Sequence, residues 1–448
     1  MWPGAPVCRR AAARAAPSRR VANSATSPLN VLLLGGLSAV FGDPVVAAGV
    51  LYVGTCVAVV GGLLGLGRAT GLGYRVAVLG GPLLIASPLL VSTVGLETML
   101  VVAALPYLVW ACVRGDAVMA GLTAGVLLWL RLDMVVFATV LVLATPALWR
   151  RLYVVAALAV AVVAPWLVFS WFTLGSAVPD TLVIKSGTSR GAGLIGLIGR
   201  YGEPYTWAVG GIFVVSGVGL LSAATWAWWH RHISADTPVG PALVAAGAAY
   251  FGVIWSLDVP SFFWYYAPTL VALALAATLG LAALSAVATA RVARAAAVTV
   301  GAGLLVTTAI PWWHGVTTKT PLREMPMHGN FALPGQYEKI GRELGAIVGD
   351  APVRSAGEVG ALVYFCDCTI TDRFSDRARV AERIEDARDD SWLYELNYLL
   401  LDTRALDPIK PRYRLDWQPG PDTSSRGWDT TGIFRGRGHY ELLTKRSR

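Results

Sequence analysis

The sequence predicts a mainly α fold: a polytopic helical membrane domain of about ten spans, followed by a small soluble α/β domain. Three observations carry this. Only 15% of the 448 residues are charged and 55% are hydrophobic, whereas a soluble domain usually carries about 25% charged residues. Apolar runs close to the roughly twenty residues that cross a bilayer recur from Pro44 to Trp313. From His314 onward charged residues are dense and no segment is apolar enough to span. The expected boundaries are a basic N-terminus over 1–27, a membrane domain over 28–313 and an extracytoplasmic domain over 314–448.

The first apolar stretch, 28–42, is shorter than the roughly twenty residues a span requires. It is expected to lie flat as an interfacial helix, with Pro28 in the first turn and Ser27 at the N-cap. Arg9, Arg10, Arg14, Arg19 and Arg20 precede it, but Asn23, Ser24, Thr26, Ser27 and Pro28 intervene. Those residues break the continuous apolar region that a signal peptide needs.

Spans are expected over 45–67, 76–94, 96–113, 117–130, 134–148, 152–172, 207–229, 239–257, 260–286 and 295–313. Segments 117–130 and 134–148 are short and meet at Arg131-Leu132-Asp133, as a hairpin of tilted or half-length helices would. The formal net charge of +9 does not point to nucleic acid, because much of the arginine lies at the N-terminus and in short loops. Arg68, Arg75, Arg114, Arg150, Arg151, Arg231, Arg291 and Arg294 all fall on one side of the alternating topology. The positive-inside tendency makes that side cytoplasmic. Gly95-Leu96-Glu97, Arg131 with Asp133, the loop 173–206 and the C-terminal domain then share the outer face of the plasma membrane.

In the C-terminal domain, "VRSAGEVGALVYF", "TITD", "YLLLD", "YRLDW" and "HYELLT" read as short strands and turns, with a helix near 377–387. Gly357-Glu358-Val359-Gly360 is too short for a dinucleotide fingerprint. Cys56 and Cys112 lie in apolar segments as small hydrophobes. Cys366-Asp367-Cys368 lacks the histidine partners of a metal site, and five cysteines do not make a disulfide framework.

Ionisable groups at membrane depth are costly and are functional candidates. Glu97 is read either as a helix N-terminal acid or as a site residue, and Arg131 with Asp133 either as a structural ion pair or as part of a site. The loop "FTLGSAVPDTLVIKSGTSRGAG" offers Asp180, Thr181 and Lys185, then Ser186, Gly187, Thr188, Ser189 and Arg190. Such a glycine- and hydroxyl-rich stretch with cations suits a phosphate, although the P-loop spacing is absent. Trp255, Trp264, Tyr265 and Tyr266 are expected to form an interfacial belt, with stacking on a sugar ring as the alternative.

The blocks "TSPLNVLLL", "GDPVVAAG", "GLETML", "LRLDM", "PWLVFSWFTLGSAVPDTLVIKSG" and "GEVGALVYFCDCTITD" occur in that order over residues 24–375. Together they resemble the GT-C class of membrane glycosyltransferases, closest to actinobacterial arabinofuranosyltransferases of the cell-wall type. The resemblance implies an inverting transfer of a sugar from a polyprenyl-phosphate donor lipid to a hydroxyl of an envelope glycan acceptor. It implies Arg131 and Lys185 on the donor phosphate, and Glu97, Asp133, Asp180 and Thr181 in the substrate site. A divalent metal is compatible with the family, and the sequence assigns no metal ligands. Such transfer needs a carboxylate in reach of the acceptor hydroxyl and cations on the leaving phosphate.

One departure bears on activity. The family carries its catalytic acidic pair between a first span and the Thr-Ser-Pro-Leu block, and here no Asp or Glu precedes Asp43. The catalytic residues are therefore left unassigned, and one more span upstream is expected. The alternatives are a misplaced start, a truncated gene or a degenerate, inactive paralogue that assists envelope assembly. A transporter is the remaining rival, and it would string ionisable residues through its helix interiors or pair interrupted helices at mid-membrane.

Overall fold

A computed structural model of the chain describes residues 22–186, 205–224, 238–260, 262–287, 291–317, 331–355, 360–422, 426–432 and 436–444, with a few positions in 196–202. The chain divides into two compact units. One comprises Thr26–Trp166 and Gly187–Met327, and the other Met1–Ala25, Leu167–Ser186 and His328–Arg448. The expected boundary at 313/314 thus falls inside a helix, Arg291–Thr317, and the first part of the loop 173–206 belongs with the C-terminal unit. The arginines of 1–20, residues 187–190, Arg231 and 357–359 lie outside the described residues.

The larger unit is helical. In chain order it contains α1 (Pro28–Phe41), α2 (Pro44–Ala69), α3 (Arg75–Ile85), α4 (Pro88–Val91), α5 (Thr98–Arg114), α6 (Ala117–Leu130) and α7 (Met134–Leu143). A 3-10 turn, Pro146–Arg151, leads into α8 (Leu152–Leu174), whose last turns belong to the other unit. After α9 (Thr181–Lys185) come α10 (Thr206–Ala224), α11 (Val239–Ser256), α12 (Phe263–Val287) and α13 (Arg291–Thr317).

Among the described residues six helices are long and apolar enough to cross a membrane: Pro44–Ala69, Pro146–Leu174, Thr206–Ala224, Val239–Ser256, Phe263–Ala286 and Arg294–Thr317. The remaining apolar segments are shorter. Expected span 76–94 is broken at Ser87-Pro88 into α3 and α4, because proline removes a donor and turns the preceding residue away from helix. Helices α6 and α7 hold 14 and 10 residues, about 21 and 15 Å at 1.5 Å per residue. Two short helices meeting at Arg131-Leu132-Asp133 are thus present.

Small residues set the packing, as expected where apolar side chains gain little by leaving lipid. Helix α12 is apolar all round and the most buried, with Ala272, Ala274, Ala276, Ala277, Ala282 and Ala283 inside against α10, α11 and α3. Gly121 and Gly125 form a G-x-x-x-G stripe on α6 against α8. A Cβ on Gly125 would stand 2.6 Å from Val162 Cβ and 2.9 Å from Ala159 O, so the two backbones approach closely. Ser27 does occupy the N-cap of α1, but its hydroxyl caps nothing there. Of the expected aromatic belt, Trp255 is exposed, whereas Tyr266 is buried against Phe251 with ring centroids 5.2 Å apart.

The smaller unit carries a mixed five-stranded sheet of β1 (Val353–Ser355), β2 (Ile370–Thr371), β3 (Tyr413–Pro419), β4 (Gly427–Gly432) and β5 (Gly436–Thr444), in the order β2-β1-β3-β5-β4. Strand β1 runs parallel to both β2 and β3, and β5 pairs antiparallel with β3 and β4. Amphipathic helix α14 (Pro334–Val348) lays Tyr337, Ile340 and Leu344 on Val353, Leu415 and Tyr440. Three expectations change. Residues 360–366 form helix α15 (Gly360–Cys366) instead of strand. "YLLLD" follows helix α17 (Trp392–Asn397) as a turn, because Tyr394, Asn397 and Tyr398 point inward at helical spacing. Cys366 and Cys368 are joined as a disulfide, with Asp367 at φ +50° between them. The helix near 377–387 is present as a 3-10 turn, Arg377–Val380, and α16 (Ala381–Asp390).

The G-x-x-x-G contact generates a stability test. Gly125→Val should lower the detergent melting temperature, since overpacking against backbone costs about 1–3 kcal/mol. Gly54→Val on α2, where nothing lies within 4 Å of the new Cβ, should leave it nearly unchanged.

Candidate functional site

In the larger unit, ionisable side chains gather where α6 ends and α7 begins. Arg131 terminates α6 in an extended conformation, φ −156° and ψ 118°, which turns its side chain out of the helical run. Its Nε donates to Asp133 Oδ1 at 3.1 Å and its Nη2 to Asp133 Oδ2 at 2.6 Å, a bidentate fork. Nη2 also donates to the Tyr250 hydroxyl at 3.0 Å. Nη1 donates to Trp264 O at 3.3 Å and reaches Glu97 Oε1 at 3.5 Å. A guanidinium has five N–H groups, and all five have partners here. Tyr250 completes the ring by donating to Asp133 Oδ2 at 2.9 Å, and Tyr265 presents its ring 5.5 Å from the guanidinium carbon.

The two carboxylates are not helix caps. Glu97 and Asp133 precede α5 and α7, yet neither side chain bonds the helix N-terminus. Both are turned to Arg131. The accessible side of the cluster is acidic, because the Arg131 side chain is 7% exposed and those of Glu97 and Asp133 are 13% and 24% exposed. Structural ion pair and site residue, the two readings of Arg131 with Asp133, are thus compatible. A phosphate meeting Arg131 directly would have to displace a partner it already holds. Beside the cluster, buried Asn30 of α1 donates to Gly95 O at 3.1 Å.

In the smaller unit, the loop that follows α8 is pinned by a second buried arginine. Gly175, at φ +74°, ends the helix in the left-handed conformation. Arg377 Nη1 then donates to Leu174 O, the last helical carbonyl, where a cation suits the dipole. Its Nη2 donates to Ser176 Oγ at 2.8 Å and to Asp180 Oδ1 at 2.7 Å. Asn23 answers the other side of Asp180: its N–H donates to Oδ2 at 3.2 Å, and Asp180 N–H donates to Asn23 O at 2.8 Å. The Asn23 amide reaches Ser170 Oγ at 2.8 Å and Ser176 O at 2.9 Å. Burial pushes the Asp180 carboxyl above the ordinary carboxylate range, against the opposing pull of Arg377 and the Asn23 N–H. The Tyr398 hydroxyl beneath it is raised by burial and by the Asp180 charge.

Asp180 and Thr181 are therefore buried at the start of α9, and Asp180 is committed to Arg377. Lys185 ends that helix with its Nζ 5.8 Å from the centre of the Phe374 ring. The structure brings Glu97, Arg131 and Asp133 into one cluster and Asp180, Thr181 and Lys185 onto one short segment. Sequence reasoning missed Tyr250, Arg377 and Asn23. Tyr250 left a trace, since a hydroxyl in the Ala/Gly-rich run "AAGAAYFG" needs a buried partner. Arg377 left none, being one arginine among several in "DRFSDRARV". Among the described residues no group of three His, Cys, Asp or Glu is placed to hold a metal ion.

Two substitutions test these clusters. Arg377→Met strands Asp180 in the interior and should cost about 3–5 kcal/mol, whereas pairing it with Asp180→Leu should restore most of the loss. Tyr250→Phe removes one hydroxyl from the Arg131 cluster and should cost about 1–3 kcal/mol. Thermal or denaturant unfolding in detergent reads both.

No family model matches this sequence, and no curated protein sequence matches it. The structure does match a solved one, the crystal structure of ArnT from Cupriavidus metallidurans bound to undecaprenyl phosphate. The TM-score is 0.51 at 15% identity, covering 93% of this chain and 88% of that one. The chain described here thus has an ArnT-like fold: a mainly helical membrane domain followed by a small mixed-sheet domain.

Proposed function

We propose that this protein transfers a sugar from a polyprenyl-phosphate donor to a cell-envelope glycan on the outer face of the plasma membrane. The observation that carries the reading is the ArnT-like fold over 93% of the chain, in a solved relative that holds undecaprenyl phosphate. The ordered sequence blocks over 24–375 support it independently. In this reading Lys185 contributes the cation for the donor phosphate. Arg131, with its donors already answered by Asp133, Glu97, Tyr250 and Trp264 O, acts through the carboxylates it orients. Glu97 and Asp133 accept hydrogen bonds from sugar hydroxyls, as the more accessible members of their cluster. Asp180 and Thr181 set the conformation of the segment that carries Lys185.

The test is binding followed by transfer, on the full chain in nanodiscs. The protein should bind undecaprenyl phosphate and bind the uncharged polyprenol far more weakly. Lys185→Ala should weaken phosphate-lipid binding by about ten- to a hundredfold, the worth of one charge-assisted hydrogen bond, and Lys185→Arg should keep most of it. Equal binding of alcohol and phosphate, or an unchanged Lys185→Ala, would overturn the donor assignment. Sugar release from lipid-phosphate donors then separates a transferase from a lipid-binding assembly partner.

A further inference from the structure

The smaller unit exposes an apolar surface that the transfer chemistry does not use. Trp392, Leu393, Leu396, Leu399 and Leu400 are 70%, 59%, 49%, 57% and 48% exposed. Their spacing of i, i+1, i+4, i+7 and i+8 is one face of a helical run through α17 and the turn after it. The opposite face is spoken for: Tyr394, Tyr398 and Leu401 pack with Ile184, Val380 and Ile384. Both faces are thus apolar, and one of them stands exposed among the described residues. Glu395 is the single charge from 391 to 401, while Asp389, Asp390, Asp402 and Arg404 stand exposed on either side. Contiguous exposed apolar side chains on a charged domain mark a contact surface.

Its position within the unit identifies the occupant. The candidate span Pro146–Leu174 ends at Leu174, and its last turns, in this same unit, expose Val168, Phe169 and Phe172. Leu401 lies 3.4 Å from where a Cβ on Gly175 would sit, one residue past that end. The Asn397 side chain then bridges Val178 in both directions, accepting from its N–H at 2.7 Å and donating to its C=O at 3.2 Å. The segment is therefore bolted to the first four residues outside the span, which puts it at the level of the lipid headgroups. Tryptophan and leucine facing outward at that level, between flanking charges, are what an interfacial helix presents to a bilayer.

We propose that residues 392–400 are an interfacial membrane anchor, seating the face of Trp392, Leu393, Leu396, Leu399 and Leu400 in the headgroup region of the membrane that the same chain spans. Such an anchor adds a second lipid contact to the unit beside the end of α8, and it fixes the tilt of that unit over the bilayer.

Site-directed spin labelling of the full chain in lipid nanodiscs tests this. Single cysteines at Leu393, Leu396 and Leu400, in a background with Cys8, Cys56 and Cys112 replaced by alanine, report collision with oxygen and with a water-soluble nickel chelate. Oxygen accessibility several-fold above nickel accessibility at all three sites, with the reverse at Asp402→Cys and Glu382→Cys, is the expected result. High nickel accessibility at the three sites would show a face in water and overturn the proposal. Low accessibility to both reagents would show a face covered by protein, a second copy or a partner, and would overturn it equally.

Discussion

Arg131 carries a full charge at a helix junction inside an apolar domain, and the elements around it are placed by the need to answer that charge. A guanidinium out of water is tolerated only when its donors are paired and its charge is balanced. Here the pairing draws on four separate stretches of chain: Glu97 ahead of α5, Asp133 ahead of α7, Tyr250 inside α11 and the Trp264 carbonyl in α12. The short helices α6 and α7 follow from it. A continuous helix through 117–143 would carry Arg131 and Asp133 on through the apolar run, whereas a break lets both side chains meet. The functional consequence is that the acidic side of the cluster, not the cationic side, is left accessible.

The smaller unit solves the same problem with a different set of residues. Arg377 takes the last carbonyl of α8, a serine hydroxyl and the Asp180 carboxylate, and Asn23 closes the arrangement from the chain's beginning. This explains why the segment after α8 belongs to the C-terminal unit and not to the helices that precede it. Lys185 is held by the same construction, because the helix that it ends starts at Thr181, directly after Asp180. Charge on this segment is therefore divided. Asp180 is neutralised inside, and Lys185 stands at the end of the short helix next to Phe374.

The apolar surfaces sort by the same logic of what surrounds them. Helix α12 is apolar and buried, and Gly219 on α10 and Gly121 and Gly125 on α6 let neighbouring backbones approach. The exposed apolar side chains of α1, α2 and α13 belong to helices of a membrane domain and face lipid by composition. The exposed apolar face of α17 is different, because it belongs to a unit whose other surfaces carry the charges of a water-facing domain.

Composition and periodicity alone determined that this chain is a helical membrane protein with a C-terminal α/β domain, since apolar runs and charge density report solvent directly. They also singled out Glu97, Arg131, Asp133 and the segment around Lys185 as candidates, because an ionisable group in an apolar run is visible without a fold. Element type in short segments was less legible: 360–366 and "YLLLD" at 398–402 read as strands and turns, and they form a helix and the turn after a helix, as helical spacing of the buried residues overrode local propensity. Only the tertiary structure decided which charge answers which. Arg377 meets Asp180 across 197 positions and Tyr250 meets Arg131 across 119, and no local pattern encodes a partner that distant. The reason is physical: burial creates the demand for a partner where the residue sits, but packing alone determines which side chain arrives to meet it.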